Sequence, residues 1–313
     1  MLCLDSLSAL LTLRAMGRRF RGSQIFCAFY LALGISVHAE DASIDRLLGK
    51  LPPPEKIIKP SAQAQAKQQD PALNDPLLVD IFILAHMGKV SDARFYSRKL
   101  SEKYPGSEAA LILWGECAYR LRYYDEAAGV FRRATAVAPH DGYTWLYLAK
   151  AENALGHIGT ALAAMAKAAE ISPNDGELAA VLGFNYINLN KVPQAISPLQ
   201  RAAKLLPQDY LVQSQLGYCL LVTGQTNAAI GPLQRGATLN SKYGPVWEHL
   251  GVAYKQQGRN GDAVIALENA TRLLPSSSLA WKHLADVYQA TGRTADAQRA
   301  AARAQKLGYK KKA

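Results

Sequence analysis

Apolar residues recur at helical spacing in short blocks along most of this chain. One block has spacings of three and four residues, which predicts one face of a helix of about a dozen residues. Its members are Trp247, Leu250, Gly251 and Tyr254. Gly258 predicts the end of this helix, because glycine readily adopts the left-handed conformation that closes helices.

A second block follows at once and predicts a partner helix. Ala263, Leu267 and Ala270 mark its inner face, and Pro275 predicts its end. The small side chains of Gly251 and Ala263 indicate that the two helices cross closely. Since a helical hairpin of this size cannot bury both of its faces alone, neighbouring hairpins must stack on each other.

The same pattern returns every 34 residues. Alanine stands at the position of Ala263 in seven successive windows: Ala93, Ala127, Ala161, Ala195, Ala229, Ala263 and Ala297. The residue five places earlier is glycine or asparagine in every window except one, where it is Arg122. The chain is therefore predicted to contain seven units, at residues 74–107, 108–141, 142–175, 176–209, 210–243, 244–277 and 278–311.

Two of these units carry a proline inside the second predicted helix, Pro198 and Pro232. A proline in a helix interior costs roughly 3 kcal/mol, because it removes a backbone hydrogen bond and crowds the preceding turn. Both prolines stand near the predicted start of their helix, where the loss is smaller. We expect them on the outer surface, with the unpaired carbonyl open to water.

The residues of this pattern resemble the tetratricopeptide repeat family. The family motif, Trp-x₂-Leu-Gly-x₂-Tyr followed by Ala-x₃-Phe-x₂-Ala and Pro, stands in the sixth unit as quoted above, with Leu267 at the phenylalanine position. The second unit keeps Ala127, Phe131 and Pro139 of the same motif. The resemblance covers residues 74–311 and implies an all-α, right-handed superhelical solenoid of antiparallel helix pairs. It says little about function, because the family serves many unrelated assemblies.

The resemblance also implies an inner groove lined by positions 2, 5, 9, 12 and 13 of each unit. The candidate partner-binding residues at these positions are Tyr119, Tyr143, Lys150, Asn153, Phe184, Ile187, Tyr218 and Leu221. Exposed apolar and aromatic patches with polar rims mark binding sites, so a protein or an extended, largely apolar peptide is the expected partner. The alternative is that these rings cover the seams between repeats.

The first residues of the chain have the pattern of a targeting segment. Residues 1–39 are predicted to be a signal peptide, with arginines between residues 18 and 21 followed by the apolar stretch 25–37. Cleavage is expected after Ala39, and Met16 is an alternative start. The apolar stretch is shorter than the roughly 20 residues that span a bilayer, so an uncleaved membrane anchor is the second interpretation.

Residues 40–73 are rich in Pro, Gln and Ala and predict a flexible or semi-extended linker. Within it, the short run SIDRLLGKL at residues 43–51 is either part of a solvated spacer or a docking peptide.

The net charge of +11 lies largely at the two ends of the chain and forms no continuous basic stripe. The basic C-terminus could contact anionic lipid or nucleic acid, but a signal peptide removes the protein from most nucleic acid, so we expect the terminal charges to serve capping and solubility, with membrane proximity as the alternative and no binding of nucleic acid. Cys117 and Cys219 are expected to be small buried side chains, and His249 and His283 surface side chains. The sequence has no nucleophile motif, phosphate loop or metal-ligand cluster, so no catalysis, cofactor or metal is expected.

These observations favour a non-catalytic interaction scaffold of the cell envelope, exported to a bacterial periplasm or secreted. The alternative is a membrane-anchored, self-associating component of an assembly or secretion complex.

Overall fold

The computed structural model describes residues 70–309. These residues form a short 3₁₀-helix, Pro71–Asn74, and fourteen α-helices. The helices are α1 (Pro76–His86), α2 (Val90–Lys103), α3 (Glu108–Arg120), α4 (Tyr124–Val137), α5 (Gly142–Ala154), α6 (Ile158–Ile171), α7 (Gly176–Asn188), α8 (Val192–Leu205), α9 (Tyr210–Val222), α10 (Thr226–Leu239), α11 (Gly244–Gln256), α12 (Asn260–Leu273), α13 (Ser278–Ala290) and α14 (Thr294–Lys306). The predicted signal peptide and the linker before residue 70 lie outside the described part of the chain.

Consecutive helices pack as hairpins, and each predicted 34-residue unit contains one such pair. The chain divides into two compact units, which we describe separately. The N-terminal unit ends at Ile171 and the C-terminal unit begins at Ser172. Within each, the second helix of a hairpin packs on the first helix of the next, as α2 does on α3 and α10 does on α11. The predicted all-α repeat fold is confirmed.

The turn inside each hairpin contains a residue with a positive φ, as the glycine series predicts. Five of the seven series positions hold glycine with φ between 72° and 80°. Arg122 and Asn190 occupy the other two and adopt the same conformation, with φ of 63° and 55°. The position therefore requires a left-handed backbone in every hairpin, and Arg122 adopts it without the conformational freedom of glycine.

The two helices of a hairpin cross closely at one glycine. A Cβ atom added to Gly115 of α3 would lie 2.5 Å from Cε1 of Phe131 on α4. The next hairpin has Ala149 and Met165 at the equivalent positions. Its first helix therefore carries a larger side chain than glycine, and its second helix carries a slimmer one than phenylalanine. In the first hairpin the order of sizes is reversed, because the large side chain of Ile81 stands on the first helix at the position of the glycine. The volume at the crossing is thus shared differently by different hairpins.

Three first helices carry a tryptophan that bonds back to the loop before the helix. Nε1 of Trp145 donates a hydrogen bond to the carbonyl of Pro139 at 3.0 Å. Trp247 and Trp281 make the same bond across the same six-residue separation, at 2.9 and 3.1 Å. The indoles are half-buried, so they fill less of the helix crossing than the sequence pattern alone indicates.

The predicted linker ends earlier than residue 73. Pro71–Asn74 form a 3₁₀-helix in which Ala72 is fully buried. The carboxylate of Asp70 accepts hydrogen bonds from the hydroxyl of Ser107 and the backbone N–H of Ala109 at the start of α3. These bonds hold residues 70–74 against the first hairpins, so they belong to the folded repeats.

The prolines inside α8 and α10 do not lie on the outer surface. Pro198 is buried and Pro232 is half-buried, and both helices continue through them unbroken. The same position of the repeat is buried at Val130 and Ala164, which places it on the inward side of the second helix. The prediction of an outer position was wrong, because a proline ring packs there as an ordinary apolar side chain.

Candidate functional site

In the N-terminal unit, adjacent first helices share a cluster of charged and aromatic side chains. The Nζ atom of Lys150 on α5 lies 4.1 Å from the centroid of the Tyr119 ring on α3. It also lies 3.5 Å from Oε2 of Glu116, and both side chains of this ion pair are nearly buried. Two of the predicted binding residues, Tyr119 and Lys150, are therefore in contact.

The charges of this cluster stabilise each other. Burial lowers the pKa of Lys150, and the nearby carboxylate of Glu116 opposes that effect. Glu116 also accepts a hydrogen bond from Nε of Arg120, one helical turn further along α3, at 3.0 Å. The hydroxyl of Tyr147 is buried in the same region without a hydrogen-bond partner among the described residues, and burial holds its pKa well above the ordinary value. The cluster offers solvent one exposed cation, Arg120, beside half-buried Tyr119.

Two further predicted residues lie on α5 and are half-buried. Tyr143 is at the start of this helix, where its backbone N–H donates a 2.7 Å hydrogen bond to the carboxylate of Asp141. Asn153 is near the end, where its carbonyl accepts a hydrogen bond from the N–H of Gly156. The helix thus spreads Tyr143, Lys150 and Asn153 along its length.

In the C-terminal unit, the predicted apolar patch is largely internal. The side chains of Phe184 on α7 and Leu221 on α9 are 6% exposed, so they do not form an exposed surface. Ile187 and Tyr218 are half-buried, and Val222 beside them in the predicted set of groove positions is 52% exposed. Neighbouring first helices pack on each other here, which covers the larger side chains. Their role in partner binding stays a prediction.

Tyr218 packs against a histidine of the next hairpin. Its ring lies 4.9 Å from the ring of His249 on α11, with an angle of 34° between the planes. Burial lowers the pKa of His249 and of His283 to about 4. The prediction that these two histidines lie on the surface was wrong, since both are half-buried and His249 packs against Tyr218 of the preceding first helix.

A charged group joins α11 and α13 in the same unit. The carboxylate of Asp286 accepts a 2.7 Å hydrogen bond from Nζ of Lys255 on α11 and another from Nζ of Lys282 on its own helix, at 2.5 Å. Lys255, Lys282 and Asp286 stand at groove positions 12, 5 and 9 of their units but are not among the candidate residues of the sequence analysis. The spacing of four between Lys282 and Asp286 was a usable signal.

The other predicted chemistry is simpler. Cys117 and Cys219 are buried free thiols, as predicted, and burial raises their pKa values to about 11 and about 12. Within residues 70–309, no group of three or more His, Cys, Asp or Glu side chains is arranged to hold a metal ion. Over the same residues, no helix has the length and apolar character needed to cross a bilayer.

Comparison with known proteins agrees with the repeat pattern. The tetratricopeptide repeat model matches residues 112–176 and 249–309. The solved structure of YrrB, described as a TPR protein with an unusual peptide-binding site, has a TM-score of 0.53 at 19% identity, over 59% of this chain and 95% of that chain. The structure of MamA from Desulfovibrio magneticus RS-1 has a TM-score of 0.49 at 19% identity, over 53% of this chain and 94% of that chain. No curated protein sequence matches the chain.

The family model covers one predicted unit in full, most of three others and the first residue of a fifth, and the likeness to YrrB extends the fold to more of the chain. The count of seven repeats stays a prediction. The motif residues, the stacked helical hairpins and these similarities agree, and the tetratricopeptide fold is one that binds proteins or peptides. Residues 112–176 and 249–309 are tetratricopeptide repeats, and the other described hairpins share their fold.

Proposed function

We propose that this protein is a non-catalytic scaffold of the cell envelope that binds an extended segment of a partner protein along its first helices. The contact between Tyr119 and Lys150 carries the proposal. It joins α3 and α5 into one surface at positions where tetratricopeptide repeats are expected to bind. Glu116 partly neutralises the charge on this surface by pairing with Lys150 and with Nε of Arg120, and the half-exposed guanidinium of Arg120 has further N–H groups that can attract an acidic or carbonyl group.

The C-terminal unit supports the same use of its first helices. Tyr218 and His249 join α9 to α11, and Lys255 and Asp286 join α11 to α13. Val222 supplies an exposed apolar side chain on this unit. An extended peptide would gain affinity from aromatic and apolar contacts and orientation from the charged groups. YrrB, with its peptide-binding site, is a precedent for this mode in a protein of similar fold.

The experiment is affinity capture from envelope extract with matched charge substitutions. Val222→Asp places a charge on the first-helix surface, and Ile265→Asp places the same charge on an exposed site of the second helix α12. Arg120→Glu tests the N-terminal unit, with Arg98→Glu on α2 as its control, since both arginines are about half-exposed and pair with a glutamate one turn away.

We expect Val222→Asp or Arg120→Glu to reduce capture of a specific partner at least about tenfold, which corresponds to about 1.4 kcal/mol. The control variants should retain it. Equal capture by all four variants would refute the proposed surface. Circular dichroism and thermal unfolding establish that each variant is folded before capture is compared.

The envelope location is tested separately. Intact mass of the protein from cell fractions identifies its N-terminus. A chain beginning at Glu40 in the periplasm or medium supports export with cleavage, whereas retention of residues 1–39 in the membrane fraction supports the anchored, self-associating alternative. Recovery of the uncleaved chain with cytosolic proteins would refute both.

A further inference from the structure

The first hairpin leaves a largely apolar surface open at the N-terminal end of the repeats. We call this surface the N-terminal end face and define it by Val79, Asp80, Ile83, Met87 and Tyr96. The first three lie on α1, Met87 caps the same helix, and Tyr96 lies on α2. Val79, Ile83 and Met87 are spaced by four residues and therefore form one stripe along α1.

Equivalent positions in the following hairpins are covered. Val79 is 44% exposed, whereas Leu113, one repeat later, is 8% exposed. Tyr96 is 41% exposed, whereas Val130 is 3% exposed. One repeat later, Leu113 and Cys117 of α3 pack in one buried cluster with residues of the first hairpin, whose second helix α2 packs on α3. The side chains of the N-terminal end face thus have the pattern of a repeat interface without its preceding helix.

The last hairpin has a polar, solvent-exposed outer face. Val264 and Thr271 of α12 are buried side chains, and α12 packs on the first helix of the following hairpin. One repeat later, α14 has Gln298 and Gln305 at these positions, and both are exposed. Terminal repeats remain soluble when their outer face is polar. Except for Asp80, the N-terminal end face lacks this substitution, and the polar surface of α14 in a second copy is a poor match for it.

A matching apolar stripe exists in the chain before residue 70. Residues 43–51, SIDRLLGKL, carry apolar side chains at Ile44, Leu47, Leu48 and Leu51, the spacing of one helical face. The first and last residues of this stripe, Ile44 and Leu51, are seven positions apart in the sequence, as are Val264 and Thr271 of α12. Its flanking charges include Arg46 and Lys50, which are complementary to Asp80.

The chain is long enough to bring this stripe to the end face. Asp70 is fixed to the start of α3 by its bonds to Ser107 and Ala109. Residues 52–69 lie between the stripe and this anchor and span up to about 60 Å when extended. Helix α1 has 11 residues and a length of about 17 Å, so every point of the N-terminal end face is within reach.

We propose that residues 43–51 dock as a short helix on the N-terminal end face and replace the second helix of a preceding hairpin. Ile44, Leu47, Leu48 and Leu51 cover Val79, Ile83, Met87 and Tyr96, and the basic residues face Asp80. This function of the segment is independent of partner binding along the first helices. It also leaves residues 52–69 as the tether of the docked helix.

The test is hydrogen exchange measured by mass spectrometry on the purified full chain in the form that the cell produces. The variant Leu47→Asp/Leu48→Asp places two charges in the apolar stripe. The control Ala62→Asp/Ala64→Asp places the same charges in the tether. All four substitutions lie before the folded repeats, so the repeats themselves are unchanged.

We expect amides of α1 and α2 to exchange about tenfold faster in Leu47→Asp/Leu48→Asp, because local protection reports the free energy of local opening. Amides of α5 and α6 and the control variant should match the wild type. Val79→Asp should accelerate exchange similarly, and adding it to Leu47→Asp/Leu48→Asp should have little further effect.

Unchanged exchange in Leu47→Asp/Leu48→Asp would overturn the proposal. Sedimentation of the wild type over a range of concentrations identifies a competing occupant. Protection of α1 that disappears on dilution together with a dimer, and that does not respond to Leu47→Asp/Leu48→Asp, would assign the end face to a second copy of the chain and would also overturn the proposal.

Discussion

The close helix crossing at Gly115 predicts opposite effects of the same substitution at two sites of one hairpin. Gly115 on α3 faces the fully buried ring of Phe131, whereas Gly129 on α4 has no atom within 4 Å of an added Cβ. Both glycines are inside helices. A change to alanine therefore raises the helix propensity equally at both sites, but it crowds the packing only at Gly115.

The magnitudes follow from these contacts. Alanine in place of glycine favours a helix by about 1 kcal/mol. At Gly115, the added Cβ would lie 2.5 to 2.8 Å from three atoms of the Phe131 ring. That ring is stacked on Tyr147 at 5.3 Å, which restricts its movement. Overpacking of this kind costs about 1–3 kcal/mol. We expect Gly115→Ala to destabilise the hairpin by about 1 kcal/mol and Gly129→Ala to stabilise it by about 0.5–1 kcal/mol.

Urea unfolding followed by circular dichroism measures both changes, and hydrogen exchange in α3 and α4 assigns them to this hairpin. Gly115→Ala combined with Phe131→Met imports the pair found at Ala149 and Met165. The double variant should recover stability relative to the sum of the single changes, with a coupling of about 1 kcal/mol. Equal stabilisation by Gly115→Ala and Gly129→Ala would refute the close crossing.

Two further changes test features of the N-terminal unit. Burial, and then the charge of Asp141, raise the pKa of Glu108 from 4.5 to about 7, so the folded state favours the protonated carboxyl and stability falls as pH rises through that window. Glu108→Gln should stabilise the protein by about 2 kcal/mol at pH 8 and by much less at pH 4 in urea titrations, and an effect independent of pH would contradict this reasoning. Arg122→Gly should raise the unfolding free energy by about 0.5–1 kcal/mol, because relief of left-handed strain exceeds the entropy gained by the unfolded chain. Thermal unfolding checks this change, and a lower melting temperature would show that Arg122 is unstrained.

The fold was predictable because each 34-residue window repeats the same physical solution. Small residues at the crossing, an apolar face on each helix and a left-handed turn recur in register, and the structure has two helices in each window. Arg122 was an apparent exception to the glycine series, but hairpin geometry imposes the same φ on it. The first folded residues were not predictable, since Asp70 is positioned by contacts with Ser107 and Ala109, distant in sequence.

The sequence predicted the positions of the candidate residues on the helices better than it predicted how exposed their side chains are. The repeat register placed Tyr119 and Lys150 at groove positions of adjacent first helices, and in the structure the two side chains are in contact. It did not indicate that Phe184 and Leu221 are internal, because the burial of a groove position depends on how closely the next first helix approaches. The same packing buries His249 against Tyr218.

The bonds from Trp145, Trp247 and Trp281 to the preceding loops constrain how this protein can change in length. Each bond ties a helix to a carbonyl six residues earlier, so an insertion between the two would separate donor from acceptor and release an indole. The turn inside each hairpin is tied as well, since the N–H of the residue after the left-handed residue bonds to a carbonyl five residues earlier, as Tyr123 does to Ala118. An insertion is therefore disfavoured both within these turns and in the loops that the indoles bond to, and the two kinds of bond help to keep the period of 34 residues constant from one repeat to the next.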